Sequence, residues 1–181
     1  WSDANNAIGI GAETQASCFD QIRFQNIDIL RNYDDLNYPD QLTERSAINI
    51  CALNATQIRN VTFEDIRVEK AKRLINITME DSFWFGSLAG NWQWPGSIQN
   101  ITYRNITSNS DGSNQIRISG RDSEHQISDI RFENIRINDT QLSDFNTDIF
   151  SVNSFGKNIR LISDLNPEGI TTDGPITAPS N

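Results

Sequence analysis

One eight-residue string recurs at a fixed place in successive segments of this 181-residue chain, and no other feature narrows the fold as far. It reads IRFQNIDI over Ile22–Ile29 and returns as VTFEDIRV over Val61–Val68. It appears again as ITYRNIT over Ile101–Thr107 and as IRFENIRI over Ile130–Ile137, with a faded copy at Ile159–Leu161. The starts lie 39, 40, 29 and 29 residues apart. Self-similarity at that period is the mark of a solenoid, in which one unit cannot bury its own apolar face and stacking encloses it.

A shorter element precedes each copy: AIGIG from Ala7, AINIC from Ala47, LINIT from Leu74 and QIRIS from Gln115. Each unit therefore predicts three short strands of period two, Ile-x-Ile, then Ile-x-Phe, then Ile-x-Ile. The expected fold is all-β, a right-handed parallel β-helix of about four full coils plus a partial fifth over residues 1–164. Residues 165–181, with Pro167, Pro175 and Pro179, leave the strand pattern and are expected to form a terminal cap or a frayed tail. Alternation skips at Asn26, Asp65, Asn105 and Asn134, where apolar residues stand on both sides of a polar one. Asn tolerates the left-handed backbone better than other non-glycine residues, so these positions read as stacked corners between strands. A β-sandwich of short strands would not place one string at the same point of every unit.

Composition agrees. The chain has 25 Ile and 21 Asn against 9 Leu, 10 Ala and 3 Lys, which favours β-branched strands and turns and excludes a helical bundle. A net charge of −9 with no Lys/Arg cluster gives no footprint for a phosphate backbone, so nucleic acid is not an expected partner. No apolar run approaches the roughly 18 residues of a membrane span. Two cysteines, Cys18 and Cys51, do not make a disulfide framework. Six sequons occur, at Asn54, Asn60, Asn76, Asn100, Asn105 and Asn138, and because three share the string Asn-Ile-Thr they are read as by-products of the repeat in preference to glycosylation sites. The start at Trp1, without Met or a leader, is expected of a mature form or a piece of a longer protein.

Insertions in solenoids gather on the functional face. Segments 30–46 and 79–97 flank the Ile-x-Ile strands as two walls would flank a floor, and 138–148 extends the first wall. Three of the four tryptophans, Trp84, Trp92 and Trp94, fall in 79–97. They suit either stacking on sugar rings or packing on one another to hold the loop. Outward positions on the floor are Gly9, Asn49, Asn76 and Arg117, with Gly11, Cys51, Thr78 and Ser119 beside them. A row of amides, hydroxyls and one guanidinium suits a hydroxyl-rich or anionic ligand, and equally suits a solvent-facing ladder. Carboxylates near this face are Asp3, Glu13, Glu80, Asp81, Asp122 and Glu124. Glycoside hydrolysis needs two carboxyl groups roughly 5 to 9.5 Å apart, and Glu13 with Glu80 or Asp81 is the candidate pair from adjacent coils. His125 reads as a surface histidine. No metal cluster, phosphate loop or Ser/His/Asp arrangement is recognisable, so no cofactor or metal is expected.

The string from Trp1 to Glu13, followed by Ile22–Ile29, resembles the C-terminal half of pectin-lyase-like β-helix proteins. Within these it is most similar to glycoside hydrolase family 28, the polygalacturonase-like enzymes, and more loosely to the dextranase family 49. In family 28 a coil with paired aspartates precedes one reading Gly-His-Gly-Ile-Ser-Ile-Gly-Ser, and then one with Arg-x-Lys. Residues 7–13 are similar to the Gly-Ile-Ser-Ile-Gly-Ser part, so the resemblance places the catalytic aspartates upstream of Trp1. Asn6 stands where the family has His, and Asn49 and Cys51 where it has Arg and Lys; those losses imply a neutral glycan. The resemblance thus implies an inverting hydrolase of a polysaccharide or oligosaccharide, monomeric at full length and extracellular or periplasmic. In it Asn6, Glu13, Asn49, Asn76, Glu80, Asp81, Trp84, Trp92, Trp94 and Arg117 would contact substrate, and this chain alone would be inactive. The alternatives are a non-catalytic glycan-binding or adhesive β-helix and a polysaccharide lyase of the same fold.

Overall fold

A computed structural model describes residues 6–11, 16–32, 46–53, 56–80, 96–110 and 115–177. Short and long strands alternate along the chain and sort into two sheets. The five-stranded sheet has the order β1 (Asn6–Ile10), β3 (Ser46–Leu53), β5 (Ile75–Glu80), β7 (Ile116–Ser119), β10 (Phe150–Val152). The seven-stranded sheet runs β2 (Cys18–Ile29), β4 (Gln57–Ala71), β6 (Ser97–Ser110), β8 (Ile127–Ile137), β11 (Gly156–Ser163), β12 (Asn166–Thr172), with β9 (Thr140–Gln141) beside β8. All pairings are parallel except those of β8 with β9 and β11 with β12. The order is that of a stacked parallel β-helix.

Repetition in sequence becomes columns in space, because equivalent residues pair without slippage. Ile8, Ile48, Ile75, Ile116 and Phe150 form one core column, and Ile22, Val61, Ile101, Ile130 and Ile159 another. The aromatic column stacks Phe24 on Phe63 at 4.9 Å, Phe63 on Tyr103 at 5.0 Å and Tyr103 on Phe132 at 5.3 Å. Offset stacking adds to the area these rings bury. Tyr103 is fully buried, and its hydroxyl has no partner. Burial pushes that phenol well above its ordinary pKa.

The expected runs of each coil lie in the two sheets, separated by corners. The two runs after each Ile-x-Ile strand form one continuous hydrogen-bonded strand, bent twice, and β4 alone spans 15 residues. Asn26, Asp65, Asn105 and Asn134 do adopt positive φ, between 53° and 58°. A second corner column, Gln21, Asn60, Asn100, Asp129 and Asn158, lies five residues earlier in the first coil, with φ between 48° and 58°. Its members include two sequon asparagines. Along the columns the side-chain amides bond from coil to coil: Asn60 donates to Asp20 at 2.7 Å, Asn105 to Asp65 at 3.0 Å and Asn134 to Asn105 at 3.3 Å. The Asn60 amide, and behind it the Arg59 guanidinium, holds the Asp20 carboxyl below its ordinary pKa.

On the outer face, Arg23, Glu64, Arg104, Glu133 and Arg131 form a chain of ion pairs across four coils. At the C-terminal end β12 pairs antiparallel with β11, along the edge of the last coil. The turn at Asn138 and Asp139 folds 138–148 back on β8, burying Leu142 and placing Phe145 against Phe150. At the other end Ile22, Phe24 and Ile27 are only half-buried, although their register partners Val61, Phe63 and Ile66 are fully enclosed. A concavity of about 460 Å³ lined by Ile8, Phe24, Ile27 and Ile29 opens there.

Candidate functional site on the outer face of the five-stranded sheet

Period-two alternation turns Ile48, Ile50, Ile75 and Ile77 into the core, so the residues between them point outward. Register then aligns Gly9, Asn49, Asn76, Arg117 and Ser151 in one row, and Cys51, Thr78 and Ser119 in a second. The row does not face solvent along its length: Asn49 is 1% exposed and Asn76 and Thr78 are 0% exposed, while Gly9 is exposed and Arg117, Ser119 and Ser151 are half-buried. The reading of Asn49 and Asn76 as a solvent-facing ladder is thereby corrected. They do bond to each other, Asn76 Nδ2 donating to Asn49 Oδ1 at 2.9 Å. Asn49 Nδ2, Asn76 Oδ1 and Thr78 Oγ1 are left buried without a partner. Buried polar atoms are normally satisfied, so three unsatisfied ones on two adjacent strands set this patch apart.

Arg73, just before β5, is also buried. Burial, and after it the like charge of Arg117, lowers its pKa to about 10. Sequence reasoning had no signal for Arg73, which lies outside every copy of the repeat.

The remaining expected residues divide sharply. Asn6 is half-buried on β1, and its Oδ1 accepts the Ser46 backbone N–H at 3.1 Å, tying the first two coils together. Gly11 has φ 91°, and a Cβ there would stand 1.8 Å from the Cys51 carbonyl oxygen, so only glycine fits. Glu80 is the last residue of β5. Asp3, Glu13, Asp81, Trp84, Trp92 and Trp94 lie outside the described residues, as does the Glu80 side chain. Asp122 accepts from the backbone N–H groups of Glu124 and His125, both at 2.9 Å, and lies 2.7 Å from His125 Nδ1. His125 is therefore a buried turn-stabilising residue, which corrects its reading as a surface histidine. Its hydrogen bond holds the Asp122 carboxyl below its ordinary pKa. Among the described residues, no side-chain carboxylate stands in the outward rows, and no group of three metal-ligating side chains is present. Cys18 is exposed and Cys51 buried, and neither is in a disulfide.

The profile of glycosyl hydrolases family 28 matches residues 46–156, more than half of the chain, from the start of β3 to the start of β11. The chain belongs to this family. Parallel β-structure is the architecture of family 28, and the matched stretch contains the Asn49, Asn76 and Arg117 row together with its second-row neighbours Cys51, Thr78 and Ser119. Neither the curated proteins nor the solved structures compared with the chain give a match.

Five of the six sequon asparagines are engaged between coils. Asn60, Asn76, Asn100, Asn105 and Asn138 each donate their amide nitrogen, to Asp20, Asn49, Asn60, Asp65 and the Ser110 carbonyl respectively. A glycan on any of them would displace a bond between coils. Asn54 lies outside the described residues.

Proposed function

We propose that this chain is part of a glycoside hydrolase acting on a polysaccharide or oligosaccharide, and that the outer face of the five-stranded sheet is the floor of its cleft. The observation that carries the reading is the register row of amides, hydroxyls and a guanidinium on that face, within the stretch matched to family 28. Hydrogen-bonding side chains on a rigid sheet are suited to fixing hydroxyl-rich ligands.

Inverting hydrolysis requires one carboxyl group to protonate the leaving oxygen and a second, roughly 6.5 to 9.5 Å away, to activate water on the opposite face of the ring. The described part of the rows offers no such pair. The acids are proposed to come from a coil stacked on the open edge of β1 and β2, where the half-buried Phe24 and Ile27 give a further coil something to cover. Glu13, Glu80 and Asp81 remain the candidates within the chain. We place the protein outside the cytoplasm, in an extracellular or periplasmic setting.

The test is to offer the 181-residue chain a panel of polysaccharides, measuring binding and release of reducing ends together. Binding without turnover is expected. Turnover by the chain itself would overturn the placement of the acids elsewhere, and absence of both would overturn the glycan reading. The second reading, a non-catalytic glycan-binding β-helix, is favoured by the lack of a described carboxylate in the rows. An extension that adds a coil bearing an Asp pair and restores turnover would exclude it.

A further inference from the structure

The outward rows differ along their length in what a ligand can reach. Asn49, Asn76 and Thr78 are enclosed, whereas Arg117, Ser119 and Ser151 on the next two coils are half-buried. Asn153 extends the second row one coil beyond Ser119, since its backbone N–H donates to the Ile118 carbonyl at 3.1 Å. Its side chain is fully committed. Oδ1 accepts from the backbone N–H of Gly120 at 3.2 Å and of Phe155 at 3.1 Å, while Nδ2 donates to the Gly120 carbonyl at 2.5 Å and to Ser119 Oγ at 3.3 Å. A Cβ on Gly120 would stand 2.8 Å from Phe155 Cβ, so glycine is what lets this turn close on the next coil.

Backbone donors face one end of the Asn153 amide and a backbone acceptor faces the other, which fixes its orientation. Ser119 Oγ therefore receives a hydrogen from Asn153, and its own hydrogen has to point elsewhere. Among the described residues no acceptor takes it. We infer that Asn153 is a positioning residue for the cleft floor, turning the Ser119 hydroxyl outward as a donor to an acceptor oxygen of the bound glycan. This rests on the reading of the sheet face as a glycan floor and assigns a binding contact within it. A donor held in this direction favours oxygens that carry no hydrogen of their own, such as the ring and linkage oxygens of a sugar chain.

The folded chain is applied to an array of neutral and uronic-acid oligosaccharides, and the tightest-binding oligomer is titrated by calorimetry. The variants are Ser119→Ala, Ser119→Thr, Asn153→Asp and the double change Ser119→Ala with Asn153→Asp, with unfolding midpoints taken alongside. Asn153→Asp keeps an acceptor for Gly120 and Phe155 but gives Ser119 a carboxylate to donate to, which reverses the hydroxyl. Ser119→Ala is expected to weaken binding about fivefold with little change in midpoint, and Ser119→Thr to keep it within about twofold of the parent chain. Asn153→Asp should weaken binding by a similar factor and lower the midpoint. In the double variant the two losses should not multiply, because both remove the same donor. Should Asn153→Asp fail to fold, Asn153→Ser, which also removes the amide donor, takes its place in the cycle. Losses that multiply would leave Asn153 a structural role alone and overturn the inference. Unchanged binding by Ser119→Ala would overturn it while leaving the glycan floor standing, and binding of no oligomer by the parent chain would overturn both.

Discussion

The two sheets are built from the same repeat, yet they treat polar side chains in opposite ways. On the seven-stranded sheet nearly every recurring polar residue is spent on the next coil: corner amides hand hydrogen bonds along their columns, and Glu64 and Glu133 are each held between arginines. On the five-stranded sheet one amide bond forms and the chain of donors stops, leaving Asn49 Nδ2, Asn76 Oδ1 and Thr78 Oγ1 unsatisfied under full burial. A ladder that satisfies itself explains stability. The row that does not is the one proposed as the cleft floor, and the difference separates the asparagines that link coil after coil from the pair whose bonding stops at one link.

The contrast can be broken in several places. The largest effect is expected in the aromatic column that the long strands share: Phe63→Ala should cost about 3 to 5 kcal/mol in denaturant unfolding, since both ring faces lose a stacked partner. Next come the corners. Asn105→Val should cost about 2 kcal/mol, because a β-branched residue is forced to φ 53° and the bonds to Asp65 and Asn134 vanish. Asn105→Gly should recover the backbone share only, and a glycine variant as stable as the parent would show that the ladder contributes nothing.

Glu133→Gln should cost about 1 kcal/mol, discounted because Arg104 and Arg131 are each over 40% exposed, and the loss should shrink in high salt. Tyr103→Phe should act in the opposite direction, raising stability by about 1 kcal/mol, as a buried hydroxyl without a partner disappears and the stack remains. A drop instead would mean that this hydroxyl has a partner in solution.

The smallest effect is on pH. Asp20, Asp28 and Asp122 are held below their ordinary pKa of 3.8, by Asn60, Arg67 and His125 respectively. The stability they contribute is therefore fully present above the unfolded value and is lost as pH falls through the folded ones. Unfolding midpoints should be flat from neutrality down to about pH 5 and decline below pH 4. A decline that began near pH 6 would point to a different titrating group.

Much of this is legible in the residues themselves. The recurring string set the coil, the skipped alternation found Asn26, Asp65, Asn105 and Asn134, and the residues between paired isoleucines located the outward row. Other features are not. The second corner column leaves a weaker mark, because Gln21, Asn60 and Asn100 each follow a polar residue (Asp20, Arg59 and Gln99) and so no lone polar position stands between two apolar ones. The fifth short strand, Phe150–Val152, lacks the Ile-x-Ile spelling and is recognised only through its register with β7. The burial of His125 depends on the turn that Asp122 caps and not on any local pattern.

The periodic architecture follows from the order of the residues, because apolar side chains at this fixed spacing leave water together by stacking coil on coil. That order also determines which residues face outward. What those residues do depends on the folded arrangement, since hydrogen-bond satisfaction needs partners from neighbouring coils. Asn105 and Asn76 open the same three-residue string, yet one links a ladder of amides and the other stands half-answered beside Thr78.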